Sequence, residues 1–116
     1  PMSAPTSNEV TFVDAIRTAL AEEMERDGRV ILLGEDIGVY GGAFKATAGL
    51  LERFGPERVI DTPVVEEAIV GAAIGAALRG LRPVVEMQFF DFTARAFDMI
   101  TNFAAKQRYR TGLWFF

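Results

Sequence analysis

Residues 61–80 read DTPVVEEAIVGAAIGAALRG. Thr62-Pro63 punctuates the chain, and the residues from 65 to 79 then read as one helix closed by Gly80. Glu66 and Glu67 fall in its first turn, where the helix dipole favours a carboxylate. Gly71 and Gly75 lie four apart on one face, widened by Ala68, Ala72, Ala76 and, one turn earlier, Val64. A glycine inside a helix costs about 1 kcal/mol relative to alanine, so two of them call for close approach of another backbone. That backbone is either this domain's own sheet or the same helix of a second subunit, and spacing does not choose between them.

Outward from that helix, the pattern alternates. Residues 11–27 carry Phe12, Ile16, Ala19, Leu20 and Met24 at helical spacing. Thr11 and Asp14 resemble a cap, and Gly28 is placed to end the helix. VILLG, 30–34, is an expected buried strand, and EDIGVYGGAFKAT, 35–47, a glycine-rich loop. A short helix over 48–55 stops at Gly55-Pro56, a second strand covers 58–61, and a third covers 82–89. The segment from Thr93 to Tyr109 reads as a last helix with Ala96, Phe97, Ile100, Phe103 and Ala104 on one side. Helices alternating with short apolar strands give an α/β fold with a parallel sheet. Function in such sheets gathers at the carboxyl ends of strands, here the loops 34–47, 61–66 and 88–93.

The 116 residues suit one domain, and half of them are hydrophobic, so a sizeable core is available. The net charge of −4 argues against nucleic acid as a partner. There is no Cys and no His, which removes disulfides, thiolate metal sites and the commonest general base. No metal site is expected on this chain. No apolar run approaches the roughly 20 residues that span a bilayer, and residues 1–9 read as a disordered lead-in without a signal pattern. No membrane partner and a bacterial cytoplasmic location are therefore expected. The last five residues, GLWFF, look like the start of a further strand. Residues 10–116 are thus expected to be one incomplete domain, and the missing strands predict poor solubility alone.

Glu67 reads as helix-start electrostatics. Glu66 differs: it follows a strand end behind Thr62-Pro63, with Val64 and Val65 before it. A carboxylate so placed is expected to be partly desolvated, with a raised pKa, and to serve as proton donor to a ligand nitrogen. The loop GEDIGVYGGAF is not a phosphate cradle, because it lacks a Lys-Ser/Thr ending and the dinucleotide glycine pattern. Glu35 and Asp36 read as loop or interface residues without an assigned role. Arg108 and Arg110 read as a basic helix C-terminus rather than an anion site.

Glu66, Gly71 and Gly75 fill the spacing E-x-x-x-x-G-x-x-x-G. This is similar to the pyrimidine-domain signature of thiamine-diphosphate enzymes. LLGEDIGVYGGAFKATAGLLERFGPERVIDTPVVEEAIVGAAIGAALRGLRPVVEMQFFDF and AFDMITNFAAKQRYRTG extend the likeness over residues 10 to 112. Together they resemble the beta subunit of the decarboxylating component of 2-oxoacid dehydrogenases, the family of the pyruvate, branched-chain 2-oxoacid and acetoin enzymes. The resemblance implies a transketolase-like pyrimidine-binding fold. It implies that Glu66 hydrogen-bonds a ring nitrogen of the cofactor's aminopyrimidine and so favours formation of its reactive ylide. Phe92 then lies against that ring, with Gln88 as a polar neighbour and Val64 lining the pocket through its backbone. Core packing is the competing account of the phenylalanines in MQFFDF. Gly71 and Gly75 serve a subunit interface. The implied partners are an alpha subunit, which holds the diphosphate and magnesium, a second beta subunit in a heterotetramer, and the lipoyl acyltransferase of the complex. The implied location is a bacterial cytoplasm, or the mitochondrial matrix in a eukaryote. No Gly-Asp-Gly occurs here, and the family's chain continues past RYRTG. Two other readings compete: a truncated paralogue that only binds an alpha subunit, and another transketolase-like thiamine enzyme.

Overall fold

The computed structural model describes residues 10–112. The expected lead-in over 1–9 and the apolar end after Gly112 lie outside the described residues. In chain order the elements are α1 (Phe12–Arg26), β1 (Val30–Gly34), α2 (Leu50–Phe54), β2 (Val59–Asp61), α3 (Glu66–Leu78) and β3 (Arg82–Glu86). A 3₁₀ segment (Phe90–Ala96), a π-helical segment (Met99–Ala104) and α4 (Gln107–Thr111) follow. The three strands form a parallel sheet of order β2-β1-β3.

β1 is buried at every position, as a central parallel strand must be. Its alternate side chains face opposite ways. Val30 and Leu32 join Ala21 and Met24 of α1, Leu50 of α2, Ile37 and Val59 in one core layer. Ile31 and Leu33 join Ile69 of α3 in the other, flanked by Ile60, Ala76 and Val85. α1 starts on the expected cap: the Thr11 hydroxyl accepts from the Asp14 amide at 3.1 Å. At its other end Arg58 donates to the carbonyls of Met24, Asp27 and Val30 at 2.8–3.0 Å, tying the helix terminus to the start of β2.

Two expectations are corrected. The third strand ends at Glu86 rather than at residue 89, because Gln88 adopts φ +52 and turns the chain out of the ladder. The single last helix is broken. The Thr101 hydroxyl donates to the Phe97 carbonyl, a back-bond that competes with the helical ladder. The Ala105 amide then reaches Ile100, five residues back. Of its expected apolar side only Ala96 is buried, while Phe97 and Phe103 are exposed.

Candidate functional site

All three strands end together. Gly34 pairs with Asp61 on one side and with Glu86 on the other. A Cβ on Gly34 would stand 2.9 Å from Ile37 Cγ2 and 3.0 Å from the Glu86 carbonyl oxygen, so only glycine permits this approach. The chain leaves the edge in three directions from here. β1 lies between β2 and β3, so its connections part at its carboxyl end, the place where open α/β sheets build their sites.

Glu35 follows β1 directly and is 8% exposed; Glu66 opens α3 and is 7% exposed. Burial pushes the Glu35 carboxyl above its ordinary value, and the charges of Glu66 and Asp36 push it further. Glu86 is also raised by burial; a backbone hydrogen bond from Gln88 opposes the shift, and the Glu35 charge adds to it. One carboxylate oxygen of Glu86 and the Thr62 hydroxyl are buried without a hydrogen-bond partner. No side-chain hydrogen bond among the described residues satisfies Glu35 or Glu66. Glu35, just after β1, thus lies near both Glu66 at the start of α3 and Glu86 at the end of β3, where donors are scarce. A carboxyl raised by burial, as those of Glu35 and Glu86 are, holds a proton readily, and a buried acid bonds strongly to a nitrogen base brought beside it.

The Gln88 side chain donates to the Glu35 carbonyl at 3.4 Å, joining the loop after β3 to the loop after β1. Gln88 and Asp36 have φ of +52 and +54, strained values for residues with a Cβ, and both flank the carboxylates. Beyond Gln88, the Phe92 ring meets Phe89 edge to face at 5.4 Å, and Phe89 meets Phe44 of the first loop at 5.3 Å. Phe92 is half-buried. Val64 lies in the bend before α3 and is 73% exposed.

The glycine-rich loop bonds to itself. The amides of Gly41, Gly42, Lys45 and Thr47 donate to carbonyls of the same loop, and the Thr47 hydroxyl donates to Ile37 at 2.7 Å. Those amides are therefore not available to cradle a phosphate. Lys45 Nζ lies 3.3 Å from the centre of the Tyr40 ring and bonds the Tyr40 carbonyl. Arg108 and Arg110 fall in the last turn of α4, where a basic residue meets the helix dipole.

Glu66, Gln88 and Val64 sit in the loops expected at the carboxyl edge, and Phe92 opens beyond them. Gly71 and Gly75 lie farther along α3. The sheet is met by Ile69 and Ala76 rather than by the glycines, and Ala73 is also buried. A Cβ at Gly71 would touch only Met99 Sδ, at 3.6 Å, and one at Gly75 would meet nothing within 4 Å. Ala68, Ala72 and Gly75 form an exposed strip beside them. Reading by residue alone left Glu35 unassigned and passed over Asp61 and Glu86. Their signal was position: each ends, or directly follows, an apolar strand.

Among the described residues no group of three or more His, Cys, Asp or Glu side chains is placed to hold a metal ion. No helix among them is long and apolar enough to cross a membrane.

Residues 8–116 match the family model described as the transketolase pyrimidine binding domain. The chain is 59% identical over 102 residues to the 2-oxoisovalerate dehydrogenase subunit beta of Bacillus subtilis, covering 88% of this chain and 31% of that one. It is 52% identical over 104 residues to the pyruvate dehydrogenase E1 component subunit beta of Rickettsia felis, covering 90% and 32%. The mitochondrial pyruvate dehydrogenase E1 component subunit beta of Saccharomyces cerevisiae is 48% identical over 103 residues, covering 89% and 28%. The chain therefore spans about a third of the length of the curated relatives it matches.

Proposed function

The chain belongs to the transketolase pyrimidine-binding-domain family, and from that premise we propose that it forms part of the beta subunit of a thiamine-diphosphate-dependent 2-oxoacid dehydrogenase. The reaction would be oxidative decarboxylation of a 2-oxo acid, with acyl transfer to a lipoyl group. The observation that carries this reading is the buried Glu66 carboxylate at the carboxyl edge, at 7% exposure and short of donors. The residues present fit an aminopyrimidine: a buried acid awaits a ring nitrogen, and an aromatic ring and an amide stand in the neighbouring loop.

Glu66 holds the proton at that nitrogen. Burial makes the proton-sharing bond strong, because no water competes for it. Gln88 steadies the Glu35 backbone beside it, the Val64 backbone lines the entrance, and the Phe92 ring offers a face to the heterocycle. Thiamine diphosphate, when bound, supplies the carbon nucleophile that attacks the 2-oxo carbon and the electron sink for departing carbon dioxide. The alpha subunit would hold the diphosphate and magnesium. The exposed Gly75 strip of α3 supports a beta–beta contact within a heterotetramer, which would work with a lipoyl acyltransferase. A bacterial cytoplasm is the proposed setting, or the mitochondrial matrix in a eukaryote.

The test is reconstitution. The complete subunit is purified from its natural source, its intact mass is measured, and it is mixed with its alpha partner. A mass well above the 12.7 kDa of these 116 residues is expected, with 2-oxo acid decarboxylation that requires added thiamine diphosphate. A natural mass of 12.7 kDa with partner binding and no cofactor-dependent turnover would replace the enzyme reading with that of an interaction module.

A further inference from the structure

Asp61 is the last residue of β2, and it fastens the loop after β1 at both ends. Its strand partner is Gly34, and the next amide, Thr62, donates to the Gly34 carbonyl at 2.9 Å. Its carboxylate oxygen Oδ1 accepts the Gly38 amide at 2.7 Å. The three residues between Gly34 and Gly38 are thereby held as one closed turn. That turn contains Glu35, whose carboxylate is buried beside Glu66, and Asp36 at φ +54. Ile37, fully buried, anchors its floor. Gly38 fits the arrangement closely: a Cβ there would lie 2.4 Å from Asp61 Oδ2.

We propose that Asp61 is a positioning residue for the reaction: its bond to the Gly38 amide holds the turn that presents Glu35 to Glu66 and the Glu35 carbonyl to Gln88. This rests on the reading of Glu66 as the group that meets the aminopyrimidine. Asp61 touches neither cofactor nor substrate. It acts by keeping a strained turn closed, and displacement of such a turn by about 1 Å can cost orders of magnitude in rate. The partner of the bond is a backbone amide, so any acceptor oxygen at that point serves. A charge is not required.

The experiment uses the complete beta subunit assembled with its alpha partner. Asp61→Ala is expected to lower kcat by about tenfold or more, with KM for the 2-oxo acid little changed. Asp61→Asn retains an acceptor oxygen and restores most of the rate. Gly38→Ala breaks the same bond from the other side and reproduces the loss, and adding it to Asp61→Ala costs nothing further. Hydrogen exchange reads the bond directly: the Gly38 amide loses protection in Asp61→Ala and keeps it in Asp61→Asn, while the amides of β1 stay protected in both. Loss of Gly38 protection with unchanged kcat overturns the proposal. So does an Asp61→Asn variant as slow as Asp61→Ala, or strict additivity of the two alanine variants. Should Asp61→Ala fail to fold, Asp61→Asn and Gly38→Ala decide the question by themselves. Normal turnover in Glu66→Gln instead defeats the cofactor reading, and does so without altering the exchange results.

Discussion

Replacing Gly75 by Ala separates what α3 needs for its own fold from what it needs for assembly. Within the described residues a Cβ at Gly75 meets nothing within 4 Å, and one at Gly71 makes only an ordinary contact with Met99 Sδ at 3.6 Å. Both positions are inside the helix. Alanine there removes backbone freedom from the unfolded chain and adds no clash, a gain of about 1 kcal/mol at each position. For the complete subunit held apart from its partners, urea midpoints should therefore rise in Gly75→Ala and in Gly71→Ala, with unchanged slopes. Assembly should move the other way. Gly75→Leu fills the strip formed with Ala68 and Ala72, and is expected to leave subunits unassembled in sedimentation or light scattering. A lowered midpoint for Gly75→Ala in the unassembled subunit would show that the glycine serves an internal contact. A Gly75→Leu assembly of wild-type mass would refute the interface.

Other consequences are more local. Gly34→Ala forces a Cβ against backbone and side-chain atoms of Glu86 and Ile37, and should destabilise the subunit by about 2 kcal/mol in urea unfolding. Arg58→Ala strips the guanidinium from three carbonyls at the α1–β2 junction and should cost about 2 kcal/mol in the same measurement. Glu35→Gln should stabilise the subunit at neutral pH, read as a higher midpoint than wild type. The sign follows from its raised carboxyl: the folded state binds the proton more tightly than the unfolded chain, so stability falls as pH rises through the unfolded value near 4.5 towards the folded one. The advantage of Gln should shrink as pH drops below that window; a constant advantage across pH would exclude the burial of Glu35 as its cause.

The parallel fold was legible because β1 is apolar at all five positions and α3 follows a clear break at Thr62-Pro63. Local chemistry also placed the Thr11 cap and the start of α3 at the acids. The end of β3 was not legible, since Met87 and Phe89 are as apolar as the strand, and only the backbone angle of Gln88 ends it. The last helix failed for a related reason: periodicity counts side chains and does not register a threonine back-bond or the wider turn after it. Glu66 stood out by its setting between a strand end and an apolar helix. Glu35 and Glu86 lie 51 residues apart by number, and only the pairing of β1 with β3 brings them together. The Asp61–Gly38 bond likewise spans 23 residues and has no local signature.

Glu66 carries the central claim, and one substitution tests it. The complete beta subunit bearing Glu66→Gln is assembled with its alpha partner, and decarboxylation of the 2-oxo acid is followed at saturating thiamine diphosphate. A variant that assembles to wild-type mass and has lost cofactor-dependent turnover is expected, because the amide cannot exchange a proton with the ring nitrogen. Turnover near that of the wild type would contradict the assignment of Glu66 and the function built on it.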